Sequence, residues 1–200
     1  ITVNSVYNRF NETGRTKAFD CNWRENEENK PHVFWDSDVA KWIEGAAYIL
    51  AQHSDTVLES RIDALIEKIR IHQGSDGYFN TYFTAVEPAK RFLNRDNHEL
   101  YCAGHLIEAA IACDKIGKPV LLECMKKYVS YIRDVFMIKR SAAFATPGHE
   151  EIELALIRLY RHTRNKDYLD LAAFFINTRG TDEDFCRDEF NNAYFQSNHA

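Results

Sequence analysis

Two histidines stand at the starts of two predicted helices and are the first candidates for chemistry. His98 opens the segment from His98 to Ala110, and His149 opens the segment from His149 to Leu156. An imidazole in the first turn of a helix projects from one end of it, and the ring both donates and accepts hydrogen bonds. We therefore expect the two rings to converge on one rim of a helical stack. The alternative for each histidine alone is a helix cap or a hydrogen bond in the core.

Carboxylates near both histidines allow several interpretations. The spacing of His149, Glu150 and Glu153 invites a metal site but does not match the HExxH pattern, so no metal ligand is assigned. Glu150 and Glu153 suit either a carboxylate pair or, more commonly, a cap plus a helix-to-helix hydrogen bond. Glu108 and Glu153 lie in apolar stripes, where an unpaired carboxylate is costly. Each is therefore expected to accept hydrogen bonds from neighbouring helix ends.

Asp36, Asp38 and Tyr78 are the remaining polar candidates. Asp36-Ser37-Asp38 precedes an apolar helical stripe, where short acceptor side chains either cap the free amides or orient a ligand. The loop 73–78 contains two glycines, which permit a tight turn that presents Asp76 and Tyr78 together. Together with the segments that begin at His98 and His149, these two make four polar segments that could face a ligand.

The elements that position these residues are predicted to be helices. They run from Asp36 to Leu50, Asp55 to His72, His98 to about Ile116, Val120 to about Ile138, His149 to Thr163 and Lys166 to about Thr178. Three Ala-rich helices alternate with three more amphipathic ones, at a period of roughly 50 to 60 residues. This repeat predicts an all-α stack of helical hairpins, either a solenoid or a toroid, with the Ala-rich helices inside. Residues 78–97 are expected to form a long connection, whose aromatic segment 78–83 extends as a strand or ribbon. The acidic run from Thr181 to Glu189 is expected to be a solvated loop.

Composition excludes several classes of protein. The 200 residues are 45% hydrophobic, which suffices for one domain over 1–200 with a sizeable core, and no apolar stretch is long enough for a membrane span. A net charge of −5 with scattered basic residues argues against nucleic acid. The five cysteines include no CxxC pair, which argues against a disulfide framework and a self-contained zinc site. A reduced, cytoplasmic location without a signal peptide fits best, while the sequon at Asn11 leaves a secreted origin open.

Several motifs occur in an order that resembles glycoside hydrolase family 127. They are Phe34 to Glu44, Asp76 to Thr81, His98 to Tyr101 with Gly104 to Ala109, Pro147 to Leu156, and Tyr168 to Ala172 followed by Arg179-Gly180. The resemblance implies an (α/α)6 barrel of helical hairpins, of which this chain holds about half. It also implies retaining hydrolysis of beta-L-arabinofuranosides, with His98 and His149 in contact with the arabinofuranose. By position, Asp36, Asp38 and Tyr78 are expected to line the same pocket.

The resemblance also implies catalytic groups that this chain lacks. The family's acid/base glutamate and its zinc-held cysteine nucleophile belong to a segment after Ala200, and none of the five cysteines stands in that context. We therefore expect no catalytic residue and no cofactor in this chain, and little more than weak sugar binding. Its partner would be the missing C-terminal part or a second copy.

Two rival functions follow from the same residues. One is a non-catalytic helical-hairpin module that binds a carbohydrate or another protein chain through its open inner face. The other is a related helical-barrel glycosidase or lyase that acts on uronic-acid polymers. The latter requires more Arg and Lys at the rim than the sequence pattern places there.

Overall fold

The computed structural model describes residues 2–187, which are mainly helical. The α-helices are α1 (Thr2–Glu12), α2 (Arg15–Ala18), α3 (Trp35–Leu50), α4 (Thr56–His72), α5 (Tyr82–Ala85), α6 (Glu99–Lys115), α7 (Val120–Arg133), α8 (Glu151–Thr163) and α9 (Lys166–Thr178). Short 3-10 turns cover Pro88–Lys90 and Arg95–Asn97, and a π-helical turn, Asp134–Ile138, continues α7. Residues 2–187 contain no strand, only an isolated bridge between Phe144 and Cys186. Within that range, no helix combines the length and apolar character that crossing a membrane requires.

Three helical hairpins, α3–α4, α6–α7 and α8–α9, form the body of the structure. Their first helices lie side by side in an inner row, because α6 packs against α3 on one side and against α8 on the other. Small buried side chains such as Ala46 in α3 and Ala103 and Ala109 in α6 permit this close approach. The second helix of each hairpin packs on the first from outside. The predicted all-α stack, with its Ala-rich helices inside, is therefore confirmed.

Helices α1 and α2 precede the hairpins and lie outside the predicted repeat. The α1 helix packs on α3, where Trp42 Nε1 donates to the carbonyl of Val3 at 2.8 Å. The α2 helix follows Gly14, whose φ of 80° lies in the left-handed region. A Cβ at Gly14 would also lie 2.5 Å from Cβ of Asn29, so this turn requires glycine. The turn directs Arg15 towards α3.

The prediction of a strand over 78–83 is wrong. Residues 78–81 are irregular, and α5 begins at Tyr82. The side chain of Asn80 accepts a hydrogen bond from the backbone N–H of Phe83 at 2.9 Å. Asp36 in α3 accepts from the N–H of Thr81 at 2.9 Å and from its hydroxyl at 2.5 Å. Because polar side chains satisfy this backbone, it needs no partner strand.

The start of α3 also differs from the prediction. The helix begins at Trp35, and no side chain caps its N-terminus. Asp36 turns to the loop before α5, Ser37 donates to a carbonyl in the preceding turn, and Asp38 pairs with Arg15 at 3.0 Å. The polar residues that resemble a cap therefore fix neighbouring elements to α3.

The acidic run after α9 is only partly the solvated loop that its composition predicts. The side chain of Asp184 is 5% exposed and pairs with Arg95 at 3.0 Å. It also accepts hydrogen bonds from Thr146 at 2.6 Å and from the N–H of Gly180 at 2.9 Å. Glu183 beside it is exposed. Asp184 thus ties this segment to the loop before α8, and residues 188 and 189 lie outside the described residues.

Two buried carboxylates of the inner helices are paired with arginines. Glu153 binds Arg179, at the end of α9, at 2.6 Å, as expected of a contact with a helix end. Glu108 binds Arg158, which lies within α8 and not at its end. The prediction of hydrogen-bonded carboxylates is therefore right, whereas the kind of partner differs for Glu108.

Candidate functional site

The N-terminal ends of α3 and α6 and the loop before α8 surround a cavity of about 690 Å³. His98, His149 and Asp38 line it. The other lining residues come from α2, the loop before α3, the first two turns of α3 and the first turn of α6: Arg15, Lys30, His32, Phe34, Trp35, Ser37, Lys41 and Tyr101. Aromatic faces combined with a few convergent polar groups are typical of a site for a small polar molecule.

The backbone around His98 is fixed by hydrogen bonds. Its φ of 58° is left-handed, a conformation that histidine adopts more readily than most residues. Its Nδ1 donates to the carbonyl of Asp96, which leaves Nε2 of the neutral ring as an acceptor. The next residue, Glu99, is buried and accepts from the hydroxyl of Tyr78 at 2.5 Å and from the N–H of Phe92 at 2.6 Å. These buried contacts hold the start of α6 in place.

His149 has the opposite hydrogen-bonding pattern. It lies in the turn before α8, and its Nδ1 accepts from the N–H of Glu151 at 3.2 Å. A neutral ring with an accepting Nδ1 carries its hydrogen on Nε2. The cavity therefore offers one imidazole acceptor, on His98, and one imidazole donor, on His149. That combination suits a hydroxyl group, which both donates and accepts.

Tyr101 lies between the two histidines. Its ring centroid is 5.7 Å from that of His98 and 4.7 Å from that of His149. Its hydroxyl accepts from Nζ of Lys41 at 2.8 Å. Tyr101 follows His98 by three residues and Lys41 follows Asp38 by three, so each shares a helix face with a residue that the sequence had singled out. This spacing is the signal by which sequence reasoning could have found them.

His105 and Glu151 form a largely buried pair beside Tyr101. Nδ1 of His105 lies 3.3 Å from Oε1 of Glu151, and its ring is 4.5 Å from that of Tyr101. Burial raises the pKa of Glu151 to about 7. Burial, with a smaller contribution from the charge of Lys41, lowers the pKa of His105 to about 4. Between these values both groups are neutral, so the Glu151 carboxyl group donates to the ring, and His105 supports Tyr101.

Arg15 brings α2 to the cavity wall. Its Nε donates to Oδ2 of Asp38 at 3.0 Å, and its guanidinium lies 5.2 Å from the centre of the Trp35 ring. The ring of Phe34 lies 4.7 Å from that of His98 and extends this aromatic surface. The wall thus combines flat apolar faces with a fixed ion pair.

Asp36 and Tyr78 lie outside the cavity, which differs from the expectation that they line it. Asp36 is fully buried and accepts a hydrogen bond from the Thr81 hydroxyl. Burial raises the pKa of Asp36 to about 6. The Tyr78 ring is buried against Phe92 and Tyr128, and its hydroxyl binds Glu99. Both side chains turn into the core because their hydrogen-bond partners, Thr81 and Glu99, lie there. They support the cavity through the starts of α3 and α6.

The described residues do not fit a zinc site. Glu150 is exposed while Glu153 is buried on Arg179, so these two do not form a carboxylate pair. Over residues 2–187, no three His, Cys, Asp or Glu side chains are arranged to hold a metal ion. Burial raises the pKa of Cys21 and of Cys113 to about 12, which disfavours the thiolate form that binds zinc.

Comparison with known proteins decides the family. The family model described as the GH127 catalytic domain of beta-L-arabinofuranosidase matches residues 1–200. The chain belongs to glycoside hydrolase family 127. A curated relative, the non-reducing end beta-L-arabinofuranosidase of Bifidobacterium longum subsp. longum, is 39% identical over 159 residues, which are 76% of this chain and 24% of that protein.

Solved GH127 structures share the fold. The GH127 beta-L-arabinofuranosidase of Geobacillus stearothermophilus T6 matches with a TM-score of 0.83 and 42% identity, over 90% of this chain and 30% of that one. A second GH127 beta-arabinofuranosidase matches with a TM-score of 0.79 and 32% identity, over the same shares. The helical hairpins are therefore those of the GH127 (α/α)6 barrel. The chain spans only 24% to 30% of the lengths of these relatives.

Proposed function

We propose that this GH127 chain forms the part of a beta-L-arabinofuranosidase that binds the arabinofuranose ring. One observation carries the proposal: His98 and His149, from successive hairpins, both contact Tyr101 on the wall of one cavity. Relatives that are 39% and 42% identical are named beta-L-arabinofuranosidases, which supports the same sugar here.

The chemistry of the wall suits a furanose. Nε2 of His98 accepts from one sugar hydroxyl, and Nε2 of His149 donates to a sugar oxygen. The rings of Phe34 and Trp35 offer flat apolar faces on which the C–H side of a sugar packs. Asp38, already bound by Arg15, contributes an acceptor at the same wall.

In this proposal, the bond-breaking groups lie outside residues 2–187. Two observations support it: the described residues provide no metal ligand set, and the raised pKa of the Cys21 and Cys113 thiols disfavours the thiolate form that binds zinc. The acid/base glutamate, the cysteine nucleophile and the zinc that the resemblance implies are assigned to a segment after Ala200. The 200-residue chain then binds sugar without hydrolysing it.

Binding is tested by titrating the 200-residue chain with methyl beta-L-arabinofuranoside and following the imidazole resonances by NMR. Loss of one hydrogen bond to the sugar costs about 1 kcal/mol, so His98→Ala and His149→Ala should each weaken binding roughly fivefold. His53→Ala is the matched control, because His53 is exposed at the opposite end of α3. Absence of binding by the unmodified chain, or an equal loss in the control, would refute the sugar site.

Catalysis is tested separately with an aryl beta-L-arabinofuranoside in the presence of zinc. The 200-residue chain should release no aryl alcohol above background. Sustained turnover that survives purification would show that a nucleophile lies within this chain, and would overturn the assignment of catalysis to a later segment.

A further inference from the structure

Cations from three separate elements meet at the same cavity. Arg15 comes from α2, Lys30 from the loop before α3, and Lys41 from α3. Asp38 is the one carboxylate among the lining residues. The cavity is therefore locally positive, although the whole chain has a net charge of −5.

Two of these three cations form no salt bridge with a carboxylate among residues 2–187, although Lys41 interacts electrostatically with Glu151 and Lys30 with Glu87 over a longer distance. Arg15 is bound to Asp38 at 3.0 Å, but no ion pair of the described residues includes Lys30 or Lys41. Unpaired ammonium groups that face a shared cavity attract an anion from solution. Among the other exposed lysines, Lys139 and Lys90 have acidic partners, whereas Lys166 has no salt bridge with a described residue. Lys30 and Lys41 differ from Lys166 because both line one cavity.

Lys41 is held in place at the cavity wall. Its Nζ donates to the Tyr101 hydroxyl at 2.8 Å and lies 4.9 Å from the centre of that ring. An ammonium group has three donors, and the Tyr101 hydroxyl uses one. The others remain for a ligand, and little side-chain entropy is lost on binding because the ammonium is already held.

The ammonium and the imidazoles are close enough to serve one ligand. The Tyr101 ring, which Lys41 touches, contacts both His98 and His149. A sugar held by the imidazoles would thus lie beside the ring that also holds the ammonium of Lys41.

We propose that the cavity recognises an arabinofuranoside whose attached group bears a carboxylate, with Lys41 as the specificity-determining residue and Lys30 as a second cation. This inference rests on the proposed sugar site and adds the chemistry of the group to which the sugar is linked. It does not require the uronide-cleaving activity of the rival function, because the acidic group is recognised and not attacked.

The experiment compares two ligands that differ only in charge, 4-carboxyphenyl beta-L-arabinofuranoside and its methyl ester. Calorimetric titration of the 200-residue chain at low salt should show the carboxylate binding roughly threefold to tenfold tighter than the ester. The ratio should fall towards one at about 0.5 M NaCl, where charges are screened within a few ångströms.

Variants assign the preference to the lysines. Lys41→Gln should reduce the carboxylate-to-ester ratio to near one, and Lys30→Gln, at an exposed loop position, should reduce it in part. Lys166→Gln, an exposed lysine at the start of α9, should keep the ratio of the unmodified chain.

Three results would overturn the inference. A ratio near one in the unmodified chain would show that the cavity does not recognise the carboxylate, and it would not contradict the arabinofuranose site. If neither Lys41→Gln nor Lys30→Gln changes the ratio, these lysines do not determine the preference for the carboxylate. If neither glycoside binds, the proposed sugar site fails, and this inference fails with it.

Discussion

Nδ1 of His105 lies 3.3 Å from Oε1 of Glu151, and this contact joins α6 to α8 beside Tyr101. The helices approach closely here because the preceding residue in α6 is Gly104. An ideal Cβ on Gly104 would lie 2.7 Å from Cγ of Glu151 and 3.1 Å from its backbone. The histidine cavity is thus supported by a helix contact that only glycine allows.

Gly104→Ala should therefore destabilise the fold. The added methyl group meets the backbone of Glu151, which cannot move without shifting α8, so a loss of about 1–3 kcal/mol is expected in urea unfolding. Gly45→Ala in α3 is the control, since no atom lies within 4 Å of its Cβ position. There, alanine should stabilise the helix by about 0.5–1 kcal/mol. A stable Gly104→Ala protein would show that α6 and α8 do not meet at this point.

The imidazole of His105 should stay neutral in mildly acidic solution. Burial lowers its pKa to about 4 and raises that of Glu151 to about 7, so at pH 5.5 a protonated carboxyl group donates to a neutral ring. Nitrogen-edited NMR spectra of the imidazoles at pH 5.5 test this directly. A charged His105 ring at that pH would mean that the proton resides on the imidazole and that the pair is ionic.

Glu99 should make stability depend on pH. Burial raises its pKa from 4.5 to about 8 in the folded chain, so folding favours the protonated form. Its contribution to stability is present below pH 4.5 and is lost as the pH rises towards 8. Between pH 5 and 8 the unmodified chain should lose on the order of 3 kcal/mol relative to Glu99→Gln. Urea unfolding at both pH values measures this, and exposed Glu123→Gln should retain the full pH dependence.

Asp184→Asn should be strongly destabilising. The substitution leaves Arg95 buried opposite a neutral amide, and removing one partner of a buried pair costs about 3–5 kcal/mol. Glu183→Gln breaks the neighbouring exposed pair with Arg140 and should cost less than about 1 kcal/mol. Similar melting temperatures for the two variants would contradict the burial of Asp184.

Much of the scaffold could be predicted from local spacing. The helical period of α6 and the paired histidines at the starts of successive Ala-rich segments place His98 and His149 at one end of the stack. Helical geometry alone fixes that relationship, because residues in the first turns of parallel inner helices share an end. The order of the family motifs along the chain predicts the same fold.

The wall of the cavity could not be predicted in this way. Asp36 and Asp38 are two residues apart on one helix, yet Asp36 is buried on Thr81, 45 residues away, while Asp38 lines the cavity with Arg15. Arg15 and Lys30 belong to segments without any repeat signal.

The sequence by itself determined the helices, their inner and outer order and the end at which the histidines lie, since these depend on periodicities within each segment. Tertiary structure alone decided which charged residues reach the cavity and which are buried. Those outcomes depend on partners many residues away, and whether a polar side chain meets such a partner settles which way it turns.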